Sequence, residues 1–420
     1  MFTIHNQLGD YMNIRKTPWI MTILAVGFTA SAVTLEERIA ALEEEAAYQK
    51  LQTGSTAKSV DSQDKELQAL RKAMDKIKVS GDVRARYEYI NQETATKPTI
   101  QSRLRFRARV NIDSALDKEW FVGVQLATNP GDPTSGNTSM GNGFDGKGIG
   151  FERAYVRYTP EFLPELRAFV GKIPQPWIAV SDLVWDGDIN PEGIAIVGEV
   201  KFDDIALLAN AGFFQINGTH NNLSSSSTAT TREPIRLYTA QMAGRVNLDS
   251  DTRALAGVGV YYWDNLDGKN PASSFGFTSR GQNNGGANYD RNYCPVELFG
   301  SVDSKVMEIP VGVFGQYVRN SNGNVDKYGY LLGVKVGRAS AGKCEVSYDY
   351  RHLGRDATVA AYSDSDSWGG GTNGKGHRLG VRYGLTSAVQ LGATGFWNSY
   401  NLSTTARDYK RLQLDIAARF

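Results

Sequence analysis

Residues 103–113 read RLRFRARVNID, a stretch in which polar and apolar side chains alternate at every position. The odd-numbered positions hold arginine, asparagine or aspartate, and the even-numbered positions are all apolar. Successive side chains of a β-strand point to opposite faces of the sheet. The stretch therefore predicts a strand with one charged face and one apolar face.

The same period of two recurs along the chain after Lys78. Runs of about 9–13 residues suit strands that cross a hydrocarbon layer at a tilt. Sixteen such runs predict strands at 79–89, 103–113, 120–128, 148–159, 166–173, 193–201, 205–216, 235–248, 253–263, 294–304, 309–320, 326–337, 343–353, 376–385, 388–398 and 408–420.

The last run carries two surfaces that no soluble core satisfies together. Arg411, Gln413 and Asp415 alternate with Leu412 and Leu414. The apolar face would be insoluble in water, whereas the opposite face is too charged for a core. Lipid outside and water inside accommodate both faces. We therefore predict an all-β fold, a 16-stranded antiparallel transmembrane β-barrel over residues 78–420.

The connections between the predicted strands alternate in length, which indicates the topology. An outer-membrane barrel has short periplasmic turns and long external loops. With an even number of strands, both ends of the barrel segment are expected on the periplasmic side. The long connections are rich in glycine, asparagine and serine, and they are Asn129–Lys147, Pro174–Glu192, Asn217–Pro234, Asp264–Tyr293 and Gly354–Lys375.

The N-terminal residues 1–32 have the pattern of a secretory signal peptide. Arg15 and Lys16 precede the apolar stretch 19–28, and Ala30-Ser31-Ala32 follows it. A basic region, a short apolar region and an A-x-A cleavage site are typical of such signals. About ten apolar residues are too few to cross a bilayer as a helix.

Residues 33–77 predict a periplasmic helix with a coiled-coil pattern. Leu35, Ile39, Leu42 and Ala46 follow spacings of four and three, which keep one seam toward a partner helix. This narrow seam favours a homo-oligomer, while a solvated linker is the alternative. Basic residues near its end also leave open a third interpretation, in which the segment tethers the barrel to peptidoglycan; they are Lys65, Arg71, Lys72, Lys76 and Lys78.

The composition excludes several classes of protein. The 46 basic and 45 acidic residues give no basic excess, so no nucleic-acid partner is expected. A mean hydropathy of −0.36 with no long apolar run after the N-terminus excludes a polytopic helical membrane protein. The glycine-rich stretches lack the strand-to-helix context of a phosphate-binding loop. We therefore expect no metal site and no cofactor.

Two segments carry a resemblance to a known family. They are residues 79–87, VSGDVRARY, and residues 181–193, SDLVWDGDINPEG. On them, the chain from about residue 78 to 420 resembles the putative porin family of Gram-negative outer-membrane proteins. The resemblance implies a trimeric, water-filled diffusion channel in outer-membrane lipid. It also implies that Phe420 looks like the signal read by the barrel-assembly machinery.

The resemblance further implies a constriction, since the third external loop of porin-like barrels folds into the lumen. Here that loop is 174–192, which carries Asp182, Asp186, Asp188 and Glu192. We expect these acids to face a ladder of lumen-pointing arginines and to create a transverse electric field. The ladder is Arg84, Arg86, Arg103, Arg105, Arg107, Arg109, Arg153 and Arg157. In the alternative, these charges pair with neighbours such as Asp82 and Glu88 and only keep the lumen wet.

Two other functions stay open from the sequence. Rings of basic side chains favour anions, so the ladder is also compatible with an anion-selective or phosphate-selective channel. An outer-membrane hydrolase would need a base near a nucleophile. His352 and His377, with Asp349 and Asp364 nearby in sequence, are the candidates for that role. Peptide or lipid hydrolysis by the purified protein would identify the enzyme, and bilayer conductance would identify the channel.

Overall fold

The computed structural model describes residues 35–74, 76–129, 131–216, 234–270 and 288–420. The expected signal peptide and most of the loops predicted at 217–234 and 264–293 lie outside these residues. The described chain contains one α-helix and one antiparallel sheet of 17 strands. The elements are α1 Leu35–Met74, β1 Ile77–Gln92, β2 Thr99–Ala115, β3 Trp120–Thr128, β4 Thr138–Ser139, β5 Ile149–Tyr158, β6 Leu166–Lys172, β7 Glu192–Phe202, β8 Ile205–Gln215, β9 Arg236–Asn247, β10 Arg253–Asp264, β11 Pro295–Val306, β12 Ile309–Asn320, β13 Tyr328–Gly337, β14 Cys344–Leu353, β15 Gly374–Gly384, β16 Val389–Tyr400 and β17 Arg407–Arg419.

The sheet closes on itself into a barrel. β1 pairs with β2 on one side and with β17 on the other. The two-residue β4 pairs only with β2, so sixteen long strands form the ring in the part of the chain that the structure describes. Backbone hydrogen bonds between Gly81 and Phe420 complete the β1–β17 seam. The predicted 16-stranded antiparallel barrel is confirmed, and closure leaves no unpaired sheet edge.

The faces of the strands are as the alternation predicts. Arg86 on β1 and Arg105 on β2 are buried inside the barrel, at 6% and 4% exposure. Their neighbours Val83 and Leu104 point outward and are about half exposed, at 48% and 54%. Charged residues therefore line the interior, and the apolar side chains form the surface that faces lipid.

Tight turns join the strands at one end of the barrel. Met307 and Glu308 form the two-residue connection between β11 and β12, with φ angles of 50° and 63°. Two consecutive left-handed residues are the signature of a type I′ turn, whose twist matches that of the flanking strands. Such turns hold neighbouring strands in fixed register at this end, whereas the long loops gather at the other.

The helix α1 is a single helical element of 40 residues. Ile39 and Leu42 of the predicted seam are exposed on it, and so is Leu67 further along the helix. It ends at Met74, and Ile77, the last residue of the predicted helical segment 33–77, is instead the first residue of β1. No helix among the described residues is both long and apolar enough to cross a bilayer. The coiled coil itself stays a prediction.

Three connections at the long-loop end enter the barrel, and their buried residues form its internal core. We name them loop L2, the connection from β3 to β5; loop L3, residues 173–191; and loop L7, residues 354–373. Loop L3 buries Trp177 and Trp185, and loop L7 buries Trp368. In L2, Ser135 is buried, and the short strand β4 of the same loop pairs with β2.

Candidate functional site

The arginine ladder follows from the register of β1 against β2. Arg84 lies opposite Arg107, and Arg86 lies opposite Arg105. Because both strands present these residues to the same face, four guanidinium groups stand close together on the inner wall. Like charges directly opposite each other are unfavourable, so the ladder needs counter-charges at hydrogen-bond distance.

Glu88 supplies one of these counter-charges. Its carboxylate is fully buried, and it accepts a hydrogen bond from Arg103 Nε at 2.6 Å and from Arg411 Nη2 at 2.5 Å. Arg86 and Arg105 each approach the same carboxylate to 3.6 Å. One acid therefore holds four arginines of β1, β2 and β17, a set that we name the Glu88 cluster.

Two further acids on the inner wall, Asp415 and Asp82, also pair with arginines. Arg86 donates to Asp415 on the neighbouring β17 with Nε···Oδ1 at 2.7 Å. On β1 and β2, Asp82 accepts from Arg107 at 2.9 Å and from Arg109 at 2.7 Å. Strand alternation thus brings acids as well as arginines into the lumen, as the alternative interpretation of the ladder requires.

Loop L3 reaches this wall through a single acid. Asp188 Oδ1 lies 3.5 Å from Arg107 Nη1 and 3.5 Å from Arg109 Nη1. The backbone N–H of Gly136 in loop L2 also donates to Asp188 at 3.4 Å. Asp188 is therefore placed beside the ladder, at the point where L2, L3 and the barrel wall meet.

Asp182 reaches a different wall of the barrel. It pairs with Arg351 on β14 at 2.9 Å and with Arg378 on β15 at 2.6 Å. Asp349 binds both of these arginines at 2.7 Å, and Asp364 of loop L7 binds Arg351 at 2.6 Å. Burial alone would raise the pKa of Asp182, but the two arginines outweigh it and hold that pKa below its usual value. We name these five residues the Asp182 cluster.

Asp186 makes no ion pair within the described residues. It accepts hydrogen bonds from the backbone N–H groups of Ser365 and Asp188, both at 2.9 Å. Its own N–H donates to the carbonyl of Tyr362 at 2.8 Å. Burial, with the nearby Asp364 and Asp188, raises the pKa of Asp186 well above its usual value. Asp186 is thus a link between loops L3 and L7, not a partner of the ladder.

The other predicted site residues lie apart from these clusters. Glu192, the first residue of β7, pairs with Lys172 at 3.0 Å at the root of the loop. Arg153 donates to Asn190 at 2.6 Å. The guanidinium of Arg157 lies 4.2 Å from the centre of the Phe121 ring, which indicates a cation–π contact. None of these three contacts joins a loop acid to an arginine.

Aromatic packing fixes loop L3 against the wall opposite the ladder. Trp177 and Trp185 lie 4.4 Å apart between ring centres, and Trp185 packs edge-on to Tyr261 of β10 at 5.2 Å. The side chain of Gln241 on β9 accepts from the N–H of Ile178 at 2.7 Å. The loop is therefore held on both sides, by apolar packing at one and by charges at the other.

The comparisons with known proteins fit this arrangement. The model of the family described as "Putative porin" matches residues 88–294 and 301–420. The chain belongs to the putative porin family. Among solved structures, the porin is similar to OprB of Pseudomonas putida, with a TM-score of 0.54 and 11% identity over 83% of this chain and 96% of that chain.

Two further solved structures are more distant. A mutant of the Rh. blastica porin has a TM-score of 0.45 and 10% identity, over 82% of this chain and 100% of that chain. A loop-deletion mutant of OmpT, an outer membrane protein of Vibrio cholerae, has a TM-score of 0.44 and 12% identity, over 82% of this chain and 99% of that chain. No curated protein matches the chain. The porin is a β-barrel channel of the Gram-negative outer membrane, and it is not an enzyme.

The histidines of the porin do not form the dyad considered from the sequence. His377 lies on the outward face of β15, where its Nδ1 is 2.7 Å from the hydroxyl of Tyr348. His352 stacks on Tyr330 on the same outer surface. Asp349 points into the lumen and binds two arginines there. The barrel wall therefore separates each histidine from Asp349, and the dyad of the alternative interpretation is not formed by these residues.

The sequence interpretation missed the partners of Asp182. Arg351 and Arg378 are lumen-facing by the same strand parity that identified the ladder, so the signal was present. Which wall a loop touches depends on the path of the loop, and parity carries no information on that. Asp364 and Asp366 were missed for the same reason, because they act through L7; Asp366 pairs with Arg411 at 2.9 Å.

Proposed function

We propose that this porin forms a water-filled channel for passive diffusion of small hydrophilic solutes and ions, narrowed where loop L3 crosses the lumen. The observation that carries the proposal is the position of L3 inside the barrel, with Asp182 and Asp188 on arginines of two different walls. Charged groups along such a narrowing keep it wet and align polar solutes. An apolar solute would have to displace oriented water, so its passage is disfavoured.

The paired charges support weak selectivity over strong anion selectivity. Arg86, Arg103 and Arg105 share Glu88, and Arg107 and Arg109 share Asp82. An arginine with an acid at hydrogen-bond distance presents less positive potential to a passing anion. The anion-selective or phosphate-selective channel therefore has less support than general diffusion, although the ladder keeps it as the second candidate.

Planar-bilayer recordings of the refolded protein test the proposal. We expect discrete open-channel steps and a small reversal potential in asymmetric KCl. A barrel without resolvable steps would contradict the open channel. A clearly anion-selective reversal potential would favour the second candidate, and its persistence in Arg103→Ala/Arg105→Ala would contradict any role of the ladder in selectivity.

We also propose that the porin assembles as a homotrimer and that its helices associate. The exposed apolar residues Ile39, Leu42 and Leu67 support this, because an apolar seam on a helix is stabilised by a partner helix. Insertion through the barrel-assembly machinery, guided by Phe420, is part of the same proposal. Contact between residues 33–77 and peptidoglycan is a further proposal that leaves the channel unaffected.

A further inference from the structure

A groove runs down the outer surface of the barrel across β15, β16, β17 and β1. The cross-strand register arranges its outward side chains in rows. From the long-loop end toward the turns, the rows are Lys375, Ser399 and Asp408; His377, Trp397, Lys410 and Asn91; Leu379, Gly395, Leu412 and Tyr89; and Val381, Ala393, Leu414 and Tyr87. The surface thus changes from charged to aromatic to aliphatic over four rows.

The lower rows enclose an apolar groove with a volume of about 390 Å³. The small side chains of Gly395 and Ala393 leave the groove open, and Leu379 and Leu412 line it on the neighbouring strands. A Cβ at Gly395 would lie 2.6 Å from the Trp397 ring, so the indole lies across the glycine. The groove is therefore long, narrow and apolar, and the indole of Trp397 marks its upper end.

Two lysine side chains lie at the upper end of the groove. Lys375 and Lys410 are exposed, and neither ammonium group forms a hydrogen bond or an ion pair with any residue that the structure describes. His377 is held between them by the hydroxyl of Tyr348 and by the ring of Tyr350, 4.9 Å away between centres. Unpaired lysines at a lipid–water boundary attract anionic headgroups.

Two exposed acids, Asp408 and Glu93, share the top row of this face, and their place limits the site. Asp408 is exposed in the top row, beside Ser399, and its N–H donates to Glu93 at 3.1 Å. It therefore lies one row nearer to water than Lys410. From the spacing of strands and the rise per residue, the Cα atoms of Lys375 and Lys410 are about 12 Å apart. Two such cations suit two phosphates carried at the ends of one headgroup.

We propose that this groove binds a phosphorylated lipid of the outer leaflet, with an acyl chain along Gly395 and Ala393 and phosphates at Lys375 and Lys410. Long loops of outer-membrane barrels face outward, so the charged rows lie at the level of outer-leaflet headgroups. Aromatic side chains such as Trp397 prefer the same level. A second copy of the chain is a poorer occupant, since its contact would bury both lysines without a counter-charge. The proposal does not rest on channel activity.

Native mass spectrometry of the detergent-solubilised protein, titrated with bisphosphorylated lipid A, tests the headgroup site. We expect Lys375→Gln/Lys410→Gln to bind this lipid about 30-fold more weakly, since each lysine near an anionic headgroup contributes about a factor of five. Lys118→Gln/Lys201→Gln is the matched control, because both of these exposed lysines lie at the turn end of the barrel. Equal losses in the two double variants would overturn the proposal.

Two further variants separate the headgroup from the acyl chain and from misfolding. Asp408→Asn removes one repulsive charge and leaves that of Glu93, so we expect it to bind about fivefold more tightly, which a damaged barrel would not do. Ala393→Trp fills the groove and should weaken binding of the lipid with or without its phosphates. Unchanged binding in both variants refutes the site. If the lysine variant changes the mass of the oligomer and not the number of bound lipids, the face is a subunit interface and the proposal fails.

Discussion

Replacing Asp182 by asparagine tests how loop L3 is held across the lumen. The substitution removes one negative charge from between Arg351 and Arg378, while Asp349 and Asp364 keep both arginines partly paired. A charged hydrogen bond contributes about 1.5–3 kcal/mol, and Asp182 accepts one from Arg378 at 2.6 Å and forms an ion pair with Arg351 at 2.9 Å. Because the remaining acids recover part of this, we expect a net loss of about 2 kcal/mol in the attachment of L3, or about 30-fold in its equilibrium.

Single-channel recording in asymmetric KCl measures the consequence. We expect Asp182→Asn to increase the open-channel conductance and its noise and to shift the reversal potential toward anions, since one acid is lost from the constriction. Asp203→Asn, in the turn between β7 and β8, is a matched control that should behave as wild type. Unchanged conductance and reversal potential in Asp182→Asn would refute the role of the Asp182 cluster in holding the constriction.

Three other predictions follow from the same contacts. The raised pKa of Asp186 means that its protonated form stabilises the fold, so this contribution is complete below the ordinary pKa of 3.8 and is lost as pH rises through the raised value. Hydrogen exchange of the L3 backbone should therefore increase over that pH range. Asp186→Asn should flatten this pH dependence and cost about 1 kcal/mol of stability for one lost acceptor. Arg103→Ala/Arg105→Ala leaves Glu88 with fewer cations, so the reversal potential should move toward cations, and a shift the other way would contradict the assigned pairing. Deletion of residues 35–74, which leaves β1 whole, should lower the oligomeric state measured by light scattering and leave single-channel steps intact; an unchanged oligomer would disprove the helical contact.

Most of the fold could be predicted from the sequence because a barrel wall repeats one local rule. Each strand between lipid and water alternates its side chains, and the rule is visible wherever both faces are chemically distinct, as on β2 and β17. The predicted ends of the strands were less accurate. β2 extends over Thr99–Ala115, beyond the predicted 103–113, because its backbone pairing with β1 continues where the alternation of side chains has ended.

The candidate site could be predicted only in part. Inward parity predicts that Arg86 and Arg105 face the lumen, and it applies equally to Arg351 and Arg378, which lie about 250 residues further along the chain. Asp182 and Asp188 are six residues apart, yet they contact different parts of the wall, β14 and β15 in one case and β2 in the other. That division comes from the path of L3, which aromatic packing around Trp185 determines, and no local pattern encodes it.

The pairing of β1 with β17 has a consequence for biogenesis. The two strands that seal the ring are separated by nearly the whole barrel sequence, so every earlier intermediate must carry two unsatisfied edges. Ring closure therefore requires β17, and a chain truncated before β17 would leave the edge of β1 unpaired and available to other chains.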